Sequence, residues 1–330
     1  MTARSREGGC HGTNYTARNR VSKRAAIAWD GRGRHDRGVH GAPYVPVDGG
    51  PWRLSMGLHR LDPGRWLEVD EHRGEDLRRK AQLLAAAPDV VVVTLPGSEA
   101  ASEELHELVV AHLEADHAGL LDADGEPVRE RTTGAERHSA LEHPIVRASR
   151  LVQEDLCVLE RDDTWRLTAA CVCFPSRWSL REKLGQTLGE IHGPVPGFRD
   201  ALESPASTFF DRLSAERPVW RVNWTLLDTD EPHLPTASGR RAQWASPDVG
   251  DALWFRVERQ TLRRLASTGA IVFSIRTYVR PLAEVVDATP GFAAALRDTM
   301  RTVTSDVAAY KGWVGLLDPL DAWLEQRSEH

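Results

Sequence analysis

The residues best placed to do chemistry lie in the stretch 156–196, LCVLERDDTWRLTAACVCFPSRWSLREKLGQTLGEIHGPVP. Leu184, Leu188 and Ile191 recur at helical spacing, His192 follows them, and Gly193-Pro194 must end the helix. A neutral imidazole in that position can ligate a metal or a haem iron. It can equally serve as a C-terminal cation favoured by the helix dipole. Spacing alone leaves both readings open.

Two strands and a helix must position that histidine. Residues 156–161 and 165–174 read as a hairpin across Asp162-Asp163-Thr164. Ser179 with Glu182 forms a capping-box pattern that predicts one helix over 179–191, with Leu180, Leu184, Leu188 and Ile191 as its buried stripe. Upstream, the pattern predicts a helix over 77–87 ending at Pro88 and a buried β-branched strand over 90–95. An amphipathic helix over 102–115 carries Leu105, Leu108, Val109 and Leu113, and a polar loop covers 122–137.

Downstream, 198–215 reads as helical with a break near Pro205. A strand over 219–227 sets Trp220, Val222 and Trp224 against Arg221 and Asn223. A last hairpin joins 253–262 to 270–279. Its alternation groups Arg256, Glu258 and Gln260 with Ser274, Arg276 and Tyr278 as a polar face, opposite Leu253, Phe255, Val257, Ile271, Phe273 and Ile275. Thr289-Pro290 opens a long C-terminal helix striped by Phe292, Leu296, Met300, Val303, Val307 and Tyr310, and Asp318-Pro319 a short final one.

Composition narrows the function classes. The 330 residues are 41% hydrophobic and 27% charged, ordinary for a globular chain. The net charge is −6, but residues 1–42 carry nine Lys/Arg and three Asp/Glu, a net +6, which leaves −12 for the rest. An acidic body argues against nucleic acid as a partner. The Gly/Arg-rich stretch 1–42 lacks apolar periodicity and reads as a disordered basic tail before a single domain over 43–330. No apolar run approaches the ~18 residues of a membrane span, and no secretory h-region is present. Four cysteines without a paired framework suggest the cytoplasm.

The motif LCVLER…W.L.A..VCFPS.W…EK.G..L..IH.PVP resembles the signature of the haem-dependent oxidative N-demethylases, the dimethylamine monooxygenase haem subunit-like proteins. WRVNW at 220–224, FRVERQTLRRL at 255–265, GAIVFSIRTYVRPL at 269–282 and LSMGLHRLDPGRWLEVD at 54–70 match in the same order. The chain departs from that pattern at Ala266, where a proline is usual. The resemblance implies an α+β fold: a PAS-like antiparallel sheet flanked by helices, with haem b between sheet and helices. It also implies oxidative N-demethylation of a small alkylamine, dimethylamine-like, to the demethylated amine and formaldehyde with O2. The chain has neither GxGxxG nor four-Cys iron–sulfur spacing. Electrons would then come from a separate flavin and iron–sulfur reductase using NAD(P)H.

The same resemblance assigns roles. His192 alone lies inside the densest match and at a helix end, and is the expected axial ligand of the iron. Arg221, Arg256 and Lys183 are the candidates to meet the haem propionates. Glu258 is expected to anchor the amine. Tyr278 and Asn223 are expected to orient Glu258 or to donate to bound oxygen. For Glu258 the competing reading is a salt bridge to Arg256 or Arg259. For the whole chain it is a haem or small-ligand sensor on the same fold.

Overall fold

Residues 44–120, 142–236 and 248–328 are described by the computed structural model; the expected tail over 1–42 and loop over 122–137 lie outside them. The strands are β1 (His59–Arg60), β2 (Val92–Thr94), β3 (Asp155–Arg161), β4 (Trp165–Cys171), β5 (Val219–Leu227), β6 (Trp254–Arg264) and β7 (Ile271–Pro281). They form one open sheet in the order β1-β5-β6-β7-β3-β4-β2, antiparallel throughout, and helices flank it, so the fold is α+β.

The β6–β7 hairpin fixes the geometry of the site. Gly269, at φ +74°, closes its turn, and Leu265 N–H donates to Ala270 O at 2.8 Å. Glu104 accepts from Ser267 N–H at 2.7 Å and Thr268 N–H at 2.8 Å, so the turn that carries Ala266 is tied down from outside. Arg264 therefore pairs with Ile271, and even-numbered residues of β6 share a face with odd-numbered residues of β7. This corrects the grouping expected from alternation, because register rather than polarity decides the face. Arg256, Glu258 and Gln260 lie with Val279, Thr277 and Ile275 on what we call the front face. Ser274, Arg276 and Tyr278 lie with Thr261, Arg259 and Val257 on the back. Neither face is a polar exterior, since Arg256 and Ser274 are 0% exposed and Arg276 is 2% exposed.

Helices α1 (Arg73–Ala86), α2 (Pro88–Val91), α3 (Glu99–Asp116) and α4 (Pro144–Leu151) cover one end of the back face. There Leu105, Val109, Leu113 and Ile145 pack with Leu156, Val158, Cys171 and Val272. Pro88 opens α2 at its first position and shortens the expected strand over 90–95 to β2. The other end of the back face is covered by α8 (Leu282–Ala288), α9 (Phe292–Met300), α10 (Ser305–Lys311) and α11 (Leu317–Ser328). The long C-terminal helix is thus two helices. Thr304, extended at ψ 160°, opens α10, and Thr302 Oγ1 donates to Thr299 O in the break.

The front face is covered by α5 (Leu188–Ile191), α6 (Phe198–Ala201) and α7 (Glu203–Arg212). The expected helix over 179–191 is not continuous. Residues 181–183 make a 3₁₀ turn, and Gly185, at φ +74°, redirects the chain. Beyond β2 the edge of β4 is free, and this segment takes it: Gly185 N–H donates to Leu167 O at 2.8 Å and Leu167 N–H to Gln186 O at 3.1 Å. Those backbone groups would otherwise lack partners. Thr187 then opens α5 with its own capping box to Glu190. The break over 198–215 falls at Leu202, and Pro205 sits in the first turn of α7, where a missing N–H costs nothing.

Candidate functional site

The register of β5 against β6 sets Asn223 opposite Glu258 and Arg221 opposite Gln260 on the front face. Glu258 is held by three donors from the sheet. Arg256 Nε donates to its Oε1 at 3.1 Å, and Asn223 Nδ2 at 3.3 Å and Gln260 Nε2 at 3.0 Å donate to its Oε2. Burial would raise the Glu258 pKa, but the charge and hydrogen bond of Arg256 and the Asn223 amide outweigh it, so the carboxyl titrates below its usual range. An ionised carboxylate is thereby fixed on an inner sheet face, with one further acceptor position open.

Arg256 departs from its expected role. Its fork also donates to Pro232 O at 3.0 Å, to Phe174 O and to Thr277 Oγ1, and the side chain is fully buried. It orients Glu258 from within the protein and is closed off from a cofactor's propionates.

His192 caps the C-terminus of α5 over this face. Its ring stacks on Phe198 at 4.5 Å between centroids and 16° between planes. Nδ1 donates to Leu188 O at 2.9 Å, which fixes the tautomer and leaves the Nε2 lone pair, unbonded among the described residues, for a ligand. Burial lowers its pKa, the Leu188 carbonyl opposes this, and the charges of Arg221 and Lys183 lower it further. The ring is therefore neutral near pH 7, the metal-ligating form, which disfavours the alternative of a helix-end cation.

Lys183 and Arg221 flank the imidazole. Lys183 Nζ donates to Ile191 O at 2.9 Å and retains two further donors. Arg221 reaches Ser55 O only at 3.5 Å, and its Nε is buried without a partner among the described residues. The side chain is half-buried, and its Nε is left without an acceptor, a cost that an incoming anion would remove.

Sequence reasoning missed Lys311, the last residue of α10. Its ammonium donates to Trp224 O at 3.2 Å and lies 5.5 Å from the Trp52 ring and 5.8 Å from the Trp313 ring. Burial lowers its pKa to about 8, with Glu258 pulling it up and Arg221 pushing it down, so it stands among the same charges. The only trace of it in the sequence is an excess of tryptophan, eleven against four tyrosines.

Tyr278 lies elsewhere. Opposite Val257 in the register, it projects from the back face, where its OH donates to Glu68 Oε2 at 2.6 Å. Tyr44 OH donates to the other oxygen of Glu68, and Arg259 Nε stands 3.3 Å from it. Arg276 lies 4.7 Å over the Tyr278 ring. The expectation that Tyr278 orients Glu258 is corrected; Asn223 and Gln260 do so. Of the named residues, His192, Lys183, Arg221, Asn223, Arg256 and Glu258 gather on the front face.

The model of one protein family, haem-dependent oxidative N-demethylase, alpha subunit-like, matches residues 57–320. The chain belongs to this family. The match runs from just before β1 into α11 and takes in every residue of the front-face cluster. Haem dependence and oxidoreductase chemistry follow at family level. The donor set of this haem-dependent N-demethylase-like chain fits a haem better than a bare ion. No three His, Cys, Asp or Glu side chains gather as a metal site among the described residues. An iron already held by a porphyrin needs only one imidazole, and its propionates need cations. His192, Arg221 and Lys183 are one imidazole and two cations of that kind on one face. No described helix is long and apolar enough to cross a membrane.

Proposed function

We propose that the chain binds haem b between the front face of the sheet and α5–α6, in a PAS-like pocket, with His192 Nε2 on the iron. The observation that carries this reading is the neutral His192 ring, pinned through Nδ1 to Leu188 O with Nε2 unbonded among the described residues, beside Arg221, whose Nε has no partner among them. Arg221 and Lys183 meet the propionates. The residues act on a small secondary or tertiary alkylamine of dimethylamine size. When bound, haem supplies the O2-dependent oxidation that removes an N-methyl group as formaldehyde.

The overall change is balanced as amine, O2, two electrons and two protons giving demethylated amine, formaldehyde and water. The chain carries no electron source of its own in sequence, so a separate NAD(P)H-dependent flavin and iron–sulfur reductase delivers the electrons. Glu258 holds the ammonium of the amine by its open acceptor position, and Asn223 and Gln260 keep its carboxylate aimed. Three buried free thiols, Cys157, Cys171 and Cys173, suit the cytoplasm. Residues 1–42 are proposed to be dispensable.

The test is haem reconstitution followed by turnover. The loaded chain, given O2, a reducing system and a panel of N-methylamines, should release formaldehyde one for one with O2 consumed. Haem uptake without formaldehyde from any amine points to a sensor; failure to take up haem contradicts the proposal.

A further inference from the structure

One buried aromatic ring stands outside the core. Phe198 opens α6 and is only 6% exposed, yet it belongs to none of the three apolar clusters that make up the core of the described residues. Its ring lies instead flat on the His192 imidazole, 4.5 Å away at 16° between planes. Other histidines meet their aromatic neighbours from further off and at an angle. His112 faces Trp66 at 5.5 Å and 67°, and His59 faces Trp220 at 5.5 Å and 40°. Burial of Phe198 therefore serves the imidazole rather than the packing of the sheet.

The chain between the two rings is short and closed on itself. Val195 N–H donates to His192 O at 2.8 Å, and Phe198 N–H donates to Val195 O at 3.1 Å. Pro194 and Pro196 fix φ at two positions of this turn, and Gly197, at φ +75°, leads it into α6. The turn thus carries Phe198 back onto the ring that begins it. The hydrogen bond from His192 Nδ1 to Leu188 O fixes one ring atom and the direction in which it points. It leaves the imidazole free to swivel about that N–H···O line. A flat ring against one face removes the swivel, because turning the imidazole would drive its edge into the phenyl ring.

We propose that Phe198 is a positioning residue, which by stacking on His192 sets the plane in which the imidazole presents Nε2 to the haem iron. The inference rests on the proposed ligation by His192 and adds what holds the ring's rotation. The plane of an axial imidazole decides how its π orbitals overlap with the iron d orbitals. Orientation of the ligand is thus one of the ways in which a protein tunes a haem. Ligand, hydrogen-bond acceptor and stacking ring all come from the single stretch 188–198, so the orientation is built into one local piece of chain.

The test uses the full chain loaded with haem, in its ferric cyanide form, read by proton NMR. In that form the plane of the axial imidazole spreads the haem methyl signals and sets their order. The parent should give one set of widely spread methyl signals. Phe198→Tyr, which keeps a flat ring, should preserve their order and spread. Phe198→Leu should keep the haem content and the far-ultraviolet circular dichroism, but should reorder the signals or collapse their spread. An unchanged methyl pattern in Phe198→Leu would overturn the proposal, as would equal changes in Phe198→Leu and Phe198→Tyr. If Phe198→Leu does not fold, the haem-free parent decides. Its His192 ring protons, identified by their loss in His192→Ala, should be shifted upfield by the phenyl ring current, and shifts like those of an exposed histidine would overturn the stacking. The ligation reading fails separately, by a parent that takes up no haem or by a His192→Ala variant that keeps the parent's methyl pattern.

Discussion

The two faces of one sheet both carry buried charges, and they differ in how those charges are matched. On the back, Arg276 lies between Asp70 at 2.7 Å and Asp76 at 3.1 Å, and Arg259 stands against Glu68, which also takes both tyrosine hydroxyls. Each of these cations has its carboxylate within the fold. On the front, Glu258 is well partnered, but Arg221 has no carboxylate within 4.0 Å among the described residues. A closed network specifies structure, whereas charges left open inside a protein point to a ligand from outside.

The sharpest way to break this contrast is to remove one arginine from each face. Arg276→Met strands two carboxylates in a nearly buried site and should cost about 3–5 kcal/mol of unfolding free energy, measured by urea denaturation. Arg221→Met should cost little stability by the same measurement, because it has no carboxylate within 4.0 Å among the described residues, but should weaken haem uptake. Equal stability losses would erase the distinction between the faces.

Glu258→Gln comes next. It keeps the shape and deletes the charge, so amine affinity should fall by about 2–5 kcal/mol in a titration followed at the Soret band, with haem content unchanged. If the variant binds amine like the parent, the carboxylate serves only to neutralise Arg256. The depressed pKa of Glu258 also adds stability above the ordinary carboxylate range, lost as pH falls through the lower folded value. Acid unfolding of Glu258→Gln should lose that component.

Tyr278→Phe sets the small end of the scale. It removes one hydrogen bond to Glu68 on the back face and should cost about 1 kcal/mol of stability. Amine binding should not change. A large loss of amine affinity would mean the two faces are coupled through the sheet.

Much of the sheet was legible in the sequence. The strand over 219–227 matches β5, because its alternation of tryptophan with polar residues repeats over nine residues. The helix over 179–191 was misread because its apolar stripe is real, since Leu180 and Leu188 do face the core, while Gly185 and the open edge of β4 were invisible in periodicity. Tyr278 went to the wrong face because the turn over 265–270 sets the hairpin register, and polarity carries no record of it. Lys311 was missed for a longer-range reason. Its box joins Trp52, Trp224 and Trp313, residues far apart in sequence that only the finished fold brings together.

The central claim is that His192 is the iron ligand of a haem held on the front face. Titration of haem into the parent and into His192→Ala, followed at the Soret band, tests it most directly. The account predicts stoichiometric uptake with a sharp Soret band in the parent, and in the variant a large loss of affinity or a displaced band, with far-ultraviolet circular dichroism unchanged. A variant that keeps the parent's spectrum and full haem occupancy would contradict it.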